Sequence, residues 1–398
     1  MNPNQKNNKL SLLIEILIVS TKLGLTSFGG PIAHLGYFRE EYVRRKKWID
    51  DQNYADLVAL SQFLPGPASS QVGMGIGVIR AGVLGGIVSF IGFTLPSVIS
   101  LILFALLLQD MNIKNSGWIH GLKLVAVPIV AQAILGMVKN LTPDIKRKAL
   151  ALFAMIATLI WQTTFTQIAV ILISSIAGYL LYQDNENSDE TTLTTNISKK
   201  FSVICLAIFF ILLALLPLIN SFTSSKWISI FDSFYRAGSM VFGGGHVVLP
   251  LLEREFVPTG WINKETFLAG YGLAQAVPGP LFTFAAYLGT VMFGWQGGLI
   301  ATIAIFLPAF LLILGTLPFW SSMRRNSKLR RALLGVNTAV VGILISAFCN
   351  PIWISSVFSI FDFLIVVILF SMLVFIKLPP WSIVLAGAIG GEILSILS

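Results

Sequence analysis

Internal repetition is the strongest constraint in the sequence. The motif FGGPIAHL at 28–35 returns as FGGGHVVL at 242–249, an offset of 214. Trp48-Ile49-Asp50 returns as Trp261-Ile262-Asn263, and SQFLPGP at 61–67 returns as AQAVPGP at 274–280, both at an offset of 213. Leu95-Pro96 answers to Leu307-Pro308, and the match fades through Gly121 and Gly335. One residue is lost before the tryptophan, where VRRKKW faces VPTGW. Three motifs in one order at nearly one spacing imply a tandem duplication. The expected units are an N-terminal repeat over 1–185, a polar linker with one lone apolar span over 186–221, and a C-terminal repeat over 222–398.

The stretches between the motifs decide the solvent. Apolar residues make up 55% of the chain and charged residues 11%, against about 25% charged in soluble domains; mean hydropathy is +0.82. A soluble fold covers its surface with polar groups, so this composition reads as an all-α polytopic membrane protein. Disordered, collagenous and disulfide-rich classes are excluded, and Cys205 and Cys349 form neither a CxxC nor a zinc spacing. The basic start MNPNQKNNKL imitates a secretory signal, but no small-x-small cleavage site follows and the segment is expected to be retained. Spans near the crossing length of about 20 residues are expected at 82–108, 118–139, 149–163 and 165–182. Their counterparts are 295–319, 331–350, 352–376 and 379–397, with 201–220 between the halves. QDNENSDETTLTTNISKK, ahead of the lone span, has no core residues and reads as linker.

Each half opens with an apolar stretch ending in FGG (10–28 and 227–242), followed by an amphipathic stretch (31–45 and 246–257). A semi-polar segment then ends in PGP, and a short segment follows (67–80 and 280–293). Pro and Gly at the centres of these pieces would leave backbone groups unsatisfied in lipid, which is tolerated only inside protein or along a wet cavity. The pieces are therefore read as re-entrant helical hairpins, two per half, with FGG and PGP turns near the bilayer midplane. Kinked spanning helices are the alternative, since Pro and Gly are common in membrane helices.

Basic residues orient the halves. The loop 36–51 carries Arg39, Arg44, Arg45, Lys46 and Lys47, and its counterpart 250–265 only Arg254 and Lys264. The loop 139–148 carries Lys139, Lys146, Arg147 and Lys148, and its counterpart near Asn350 none. The bias reverses at Arg324, Arg325, Lys328, Arg330 and Arg331, which face only Lys114 and Lys123. With positive residues held in the cytoplasm, the halves insert in opposite orientations, N-terminus cytoplasmic and C-terminus external. Inverted repeats with broken helices at the midplane are the architecture of secondary transporters. The net charge of +9 thus sorts by membrane side, and no nucleic-acid partner is expected.

Lys22 and Arg236 stand apart, inside apolar segments, each six residues before its FGG. A basic residue in mid-span costs about 2.5–3.5 kcal/mol on insertion scales and is a functional candidate by default; the alternative is snorkelling or pairing with a carboxylate such as Glu15 or Asp232. Pro31, Pro67, Gly245 and Pro280 sit where helices would begin, presenting free N–H groups and about +0.5 charge each. Such termini bind sulfate- and phosphate-like groups. Gly29, Gly30, Gly66, Gly243, Gly244 and Gly279 would let an anion approach backbone, alongside Pro65 and Pro278 of the same turns. Close helix packing is the other reading of these glycines. Ser69, Ser70 and Thr283 are candidate hydroxyl donors and Gln62 and Gln275 candidate amide donors, although hydroxyls also bond their own helix. His246, beside Gly245, is a candidate for anion contact or proton relay as against a core histidine. His34 and His120 complete a set too scattered to bind metal. Gly73–Gly77 lacks the last glycine of GxGxxG, and there is no Walker lysine, HExxH or GxSxG, so no catalytic residue, metal or cofactor is expected.

FGGPIAHLGYFREEYV with SQFLPGPASSQ, and FGGGHVVLPLLEREFV with AQAVPGP, resemble the chromate ion transporter family in its long, two-domain form. The resemblance implies chromate efflux across the bacterial inner membrane, with sulfate as a look-alike substrate. The expected partners are the oxyanion and membrane lipid, and a homodimer is compatible. Where the first half has Pro31, the second has Gly245 followed by His246, so the halves of a central site are unequal. Efflux is expected to draw on a proton gradient or the membrane potential, with Glu40, Glu41, Glu253 and Glu255 as proton carriers or plain solvated surface. The rival readings are a passive anion channel and a lipid-phosphate flippase or enzyme.

Overall fold

The computed structural model describes residues 3–28, 30–110, 117–161, 163–182, 197–223, 225–242, 245–320, 323 and 326–397. Every regular element among them is helical. In the first half these are α1 (Pro3–Thr26), α2 (Gly30–Phe38, continued by the π-helical Arg39–Arg45), α3 (Asp51–Phe63), α4 (Ala68–Asp110), α5 (Gly117–Leu141), α6 (Ile145–Ile160) and α7 (Thr164–Leu181). Then come α8 (Lys199–Phe222), α9 (Lys226–Met240), α10 (Val248–Phe256), α11 (Lys264–Ala276), α12 (Phe284–Thr316), α13 (Ser327–Ala347), α14 (Ile360–Val374) and α15 (Pro380–Leu397).

Among the described residues, five helices are long and apolar enough to cross a membrane: Ala68–Leu108, Gly117–Leu141, Lys199–Phe222, Leu281–Phe319 and Ser327–Ser356. Shorter apolar helices occupy Thr166–Leu181, Ile360–Val374 and Pro380–Ile396. The chain is a multi-pass membrane protein, and its outward Leu, Ile and Phe side chains suit lipid. The span expected at 352–376 begins later. Ser359 and Asp362 form a capping box there, each side chain accepting from the other's backbone N–H, so the helix starts at Ile360. Most of the linker expected before α8, residues 183–196, lies outside the described residues.

Local features recur at the spacing of the motifs. α4 leaves helical geometry at Ala81 and Gly82 (φ 69°), and α12 does so at Phe293 and Gly294 (φ 68°). At each break the chain folds back on itself. Gly77 abuts the Gly85 carbonyl and Gly289 that of Gly297, with no room for a Cβ, and Ser89 donates to the Gly73 carbonyl (2.8 Å). The short segments expected at 67–80 and 280–293 are thus separate arms. The last helices of the halves are exchanged: Gly387 and Gly391 of α15 pack on Gly117 and Gly121 of α5, while Ser174 and Gly178 of α7 pack on Gly335 of α13. Small residues four apart let these backbones touch, which is how helices associate where no hydrophobic force drives them together.

Candidate functional site

The FGG and PGP turns converge on one seam. The Gly66 amide donates to the Val241 carbonyl (2.7 Å), and the Gly279 amide donates to the Ser27 carbonyl (2.9 Å). Each PGP glycine therefore holds the residue just before the other half's FGG. Gly66 sits at φ +115° and Gly279 at φ +108°, a region open to glycine but strained for any side chain. The carbonyl of each leading proline is satisfied differently: Gln71 Nε2 donates to Pro65 (2.9 Å) and Ser97 Oγ to Pro278.

A cavity of about 20 Å³ lies at this seam, lined by residues of both halves that include Ser27, Phe28, Gly30, His246, Gln275 and Gly279. It has room for one water and is too small for a tetrahedral oxyanion. Ser27 Oγ and Gln275 Nε2 are buried without a hydrogen-bond partner, leaving acceptor and donor capacity at the wall. His246 Nδ1 meets the Tyr271 hydroxyl at 2.7 Å, which turns Nε2 toward Gly30, 4.0 Å from where a Cβ would stand. Gly245 approaches Pro31 of the first half (3.6 Å from a built Cβ). The expected residues gathered at the seam are thus Gly30, Pro31, Pro65, Gly66, Pro67, Gly245, His246, Gln275, Pro278, Gly279 and Pro280. Gly29, Gly243 and Gly244 lie outside the described residues.

Other expected residues have different neighbours. Lys22 forms an ion pair with Glu41 (2.8 Å), and Arg236 with both Glu255 (2.6 Å) and Asp232 (3.0 Å). The two basic residues and two of the expected proton carriers therefore neutralise each other, at one spacing in both halves. Glu15 instead takes Lys46 and Arg80, each at 3.1 Å. Glu40 pairs with Arg44 and Arg45 on the surface, and Glu253 is half-buried on α10. The amides of Gly66 and Gly279 are taken by carbonyls, so these turns present less free N–H than bare helix termini would. Thr283 donates to the Pro280 carbonyl of its own turn (2.7 Å), Ser69 meets His34 Nδ1 (3.3 Å), and Ser70 is buried with Oγ unpaired. Gln62 is exposed on α3, unlike its counterpart Gln275.

Ser27, Gln71, Ser97 and Tyr271 were not among the expected site residues. A signal existed for all four: aligning the halves sets Ser27 against Val241, Ser97 against Ala309, Gln71 against Phe284 and Tyr271 against Val58, polar side chains at matched apolar positions.

The fold and the seam define a multi-pass helical membrane protein with two halves joined through broken turns. The chain belongs to the chromate transporter family: the family model described as "Chromate transporter" matches it twice, over residues 14–179 and 228–391. An uncharacterised transporter of Methanocaldococcus jannaschii is 26% identical over 359 residues, 87% of this chain and 88% of its own. A probable chromate transport protein of Synechococcus elongatus is 28% identical over 337 residues, 82% of this chain and 81% of its own. A chromate transport protein of Pseudomonas aeruginosa is 28% identical over 329 residues, 81% of this chain and 77% of its own. No solved structure matches.

Proposed function

We propose that this chain is a secondary transporter that exports a tetrahedral divalent oxyanion, chromate, across a bacterial inner membrane. The observation that carries the reading is the reciprocal bonding of Gly66 to Val241 and Gly279 to Ser27, the second of which borders a small cavity shared by both halves. An anion placed there touches both halves, so moving one half against the other changes its access. Family membership supports chromate as the substrate, as do relatives named for chromate transport. Sulfate has the same shape and charge and is the natural competitor.

The halves are read as inverted repeats of 1–185 and 222–398 with re-entrant hairpins. In support, α3 has 13 residues, about 20 Å of helix, against about 30 Å of hydrocarbon. The chain enters α3 beside Trp48 and returns to it, since Arg80 stacks on the Trp48 ring at 4.4 Å. α1 and α2 likewise run back to back through Lys22–Glu41 and Glu15–Lys46. An inside-negative potential favours expulsion of a dianion by about 4.6 kcal/mol per 100 mV, at about 2.3 per charge.

Purified full-length chain in proteoliposomes tests the proposal. Chromate flux that an imposed pH gradient drives against the chromate electrochemical gradient, and that sulfate inhibits, is expected. Flux that follows only the chromate gradient and the membrane potential points to a channel, and absence of chromate and sulfate flux under any gradient refutes the transporter reading.

A further inference from the structure

The cavity wall contains one titratable side chain among the described residues, His246. The carboxylates expected to carry protons are committed elsewhere. Glu41 and Glu255 are held by Lys22 and Arg236, Glu40 by Arg44 and Arg45, and Glu253 does not line the cavity. The cations Lys22 and Arg236 are neutralised by those same pairs. A dianion entering this space would meet dipoles and no free positive charge, which is a costly environment for a doubly charged ion.

Imidazole can supply the missing charge. Its Nδ1 is fixed on the Tyr271 hydroxyl, so Nε2 is the nitrogen presented to Gly30 and the cavity. The His246 turn packs against the start of α2, against α10, α11 and α13, and against the turn Leu281–Thr283. Among the described residues, Tyr271 is the titratable group that faces the ring from these elements, and no charged side chain acts on it. With both ring nitrogens protonated, Nδ1–H donates to the tyrosine oxygen and Nε2–H is aimed at the anion.

We propose that His246 binds one proton as the oxyanion enters and that this proton crosses the membrane in the same direction as the anion. The inference rests on the transporter reading and decides its coupling. Binding linkage is reciprocal: a proton that tightens the anion is itself tightened by it, so the two travel together instead of exchanging. The proton is taken from water on the loading side and released on the other side, and one net negative charge moves per cycle.

The test uses the full chain in proteoliposomes with chromate in alkaline buffer, where chromate carries no proton of its own, and a trapped pH dye. Protons are expected to move with chromate, one per anion, in its direction. Chromate affinity should weaken about tenfold per pH unit, the slope of a one-proton linkage. His246→Gln keeps a donor toward the seam and should lose both the proton movement and the pH slope. Protons moving against chromate, a pH-independent affinity in the wild-type chain, or a slope retained in His246→Gln would each overturn the proposal. The first two need no variant, so a poorly assembled His246→Gln does not blunt the test. Chromate moving without protons defeats the histidine role alone, whereas no anion flux under any gradient defeats the transporter reading beneath it.

Discussion

Gly279→Ala probes the seam more sharply than the matched Gly66→Ala. Both glycines have strongly positive φ, so either alanine carries strain of about 1–3 kcal/mol. At Gly66 the new methyl stands 3.0 Å from the Ala309 methyl and 3.4 Å from Gln71 Nε2, a tight fit that a small shift relieves. At Gly279 the new methyl lands on Ser97 Oγ. That hydroxyl must rotate away, which abandons its bond to the part-buried Pro278 carbonyl; leaving that carbonyl unsatisfied costs up to about 1–3 kcal/mol more. The total is up to about 2–6 kcal/mol at Gly279 against about 1–3 at Gly66. Adding Ser97→Ala to Gly279→Ala recreates the methyl-to-methyl contact of the other half and removes a hydroxyl that has already lost its partner. The double variant should therefore recover part of the loss, although Ser97→Ala alone is destabilising, a non-additivity expected of side chains in contact. Thermal unfolding of the solubilised full chain, followed by tryptophan fluorescence, reads the order. Equal losses at the two glycines, or a further loss in the double variant, would refute the reasoning.

The two mid-helix cations should separate. Arg236→Met strips the cation from Asp232, which is 1% exposed, and from Glu255, and breaking such a buried pair costs about 3–5 kcal/mol; poor accumulation in the membrane is expected, partly restored by adding Glu255→Gln. The Lys22 side chain is 48% exposed, and its partner Glu41 keeps a second cation in Arg45 at 3.6 Å, so Lys22→Met should insert normally, and equal accumulation of the two variants would contradict this. Single cysteines in the loops 36–51 and 250–265 should be labelled from opposite sides of the membrane, the first from the cytoplasm; labelling of both from one side would end the inverted-repeat reading.

What the sequence made legible was backbone. The breaks at Ala81-Gly82 and Phe293-Gly294 fall at the ends of the short segments expected after PGP, because only glycine tolerates the reversal and glycine is visible as a letter. The convergence of FGG with PGP is local in neither motif. It depends on Gly66 reaching Val241 and Gly279 reaching Ser27, contacts between halves that no periodicity encodes. The exchange of α7 and α15 was invisible for the same reason: Gly121 and Gly335 were seen as the fading edge of the repeat, and their partners Gly387 and Ser174 lie on the other half's last helices.

Charge pairing was legible only in part. Asp232, one turn before Arg236 on the same helix, is the partner that the alternative reading named, whereas Glu41 and Glu255 lie on the next helix, where no local pattern points to them. Yet Glu41 follows Lys22 by 19 residues, and Glu255 follows Arg236 by the same 19. An ion pair repeated at one spacing is a property of the repeated unit, fixing the return helix against the entering one at the same depth in both halves. A charge that holds a single anion, by contrast, need not be duplicated. The groups that differ between the halves are therefore the informative ones at the seam. His246 stands where the first half has Ile32, Ser97 where the second has Ala309, and Gln71 where the second has Phe284. Gln71 and Ser97 reach the PGP carbonyls from helix α4, and His246, the one among the three that titrates, lines the cavity.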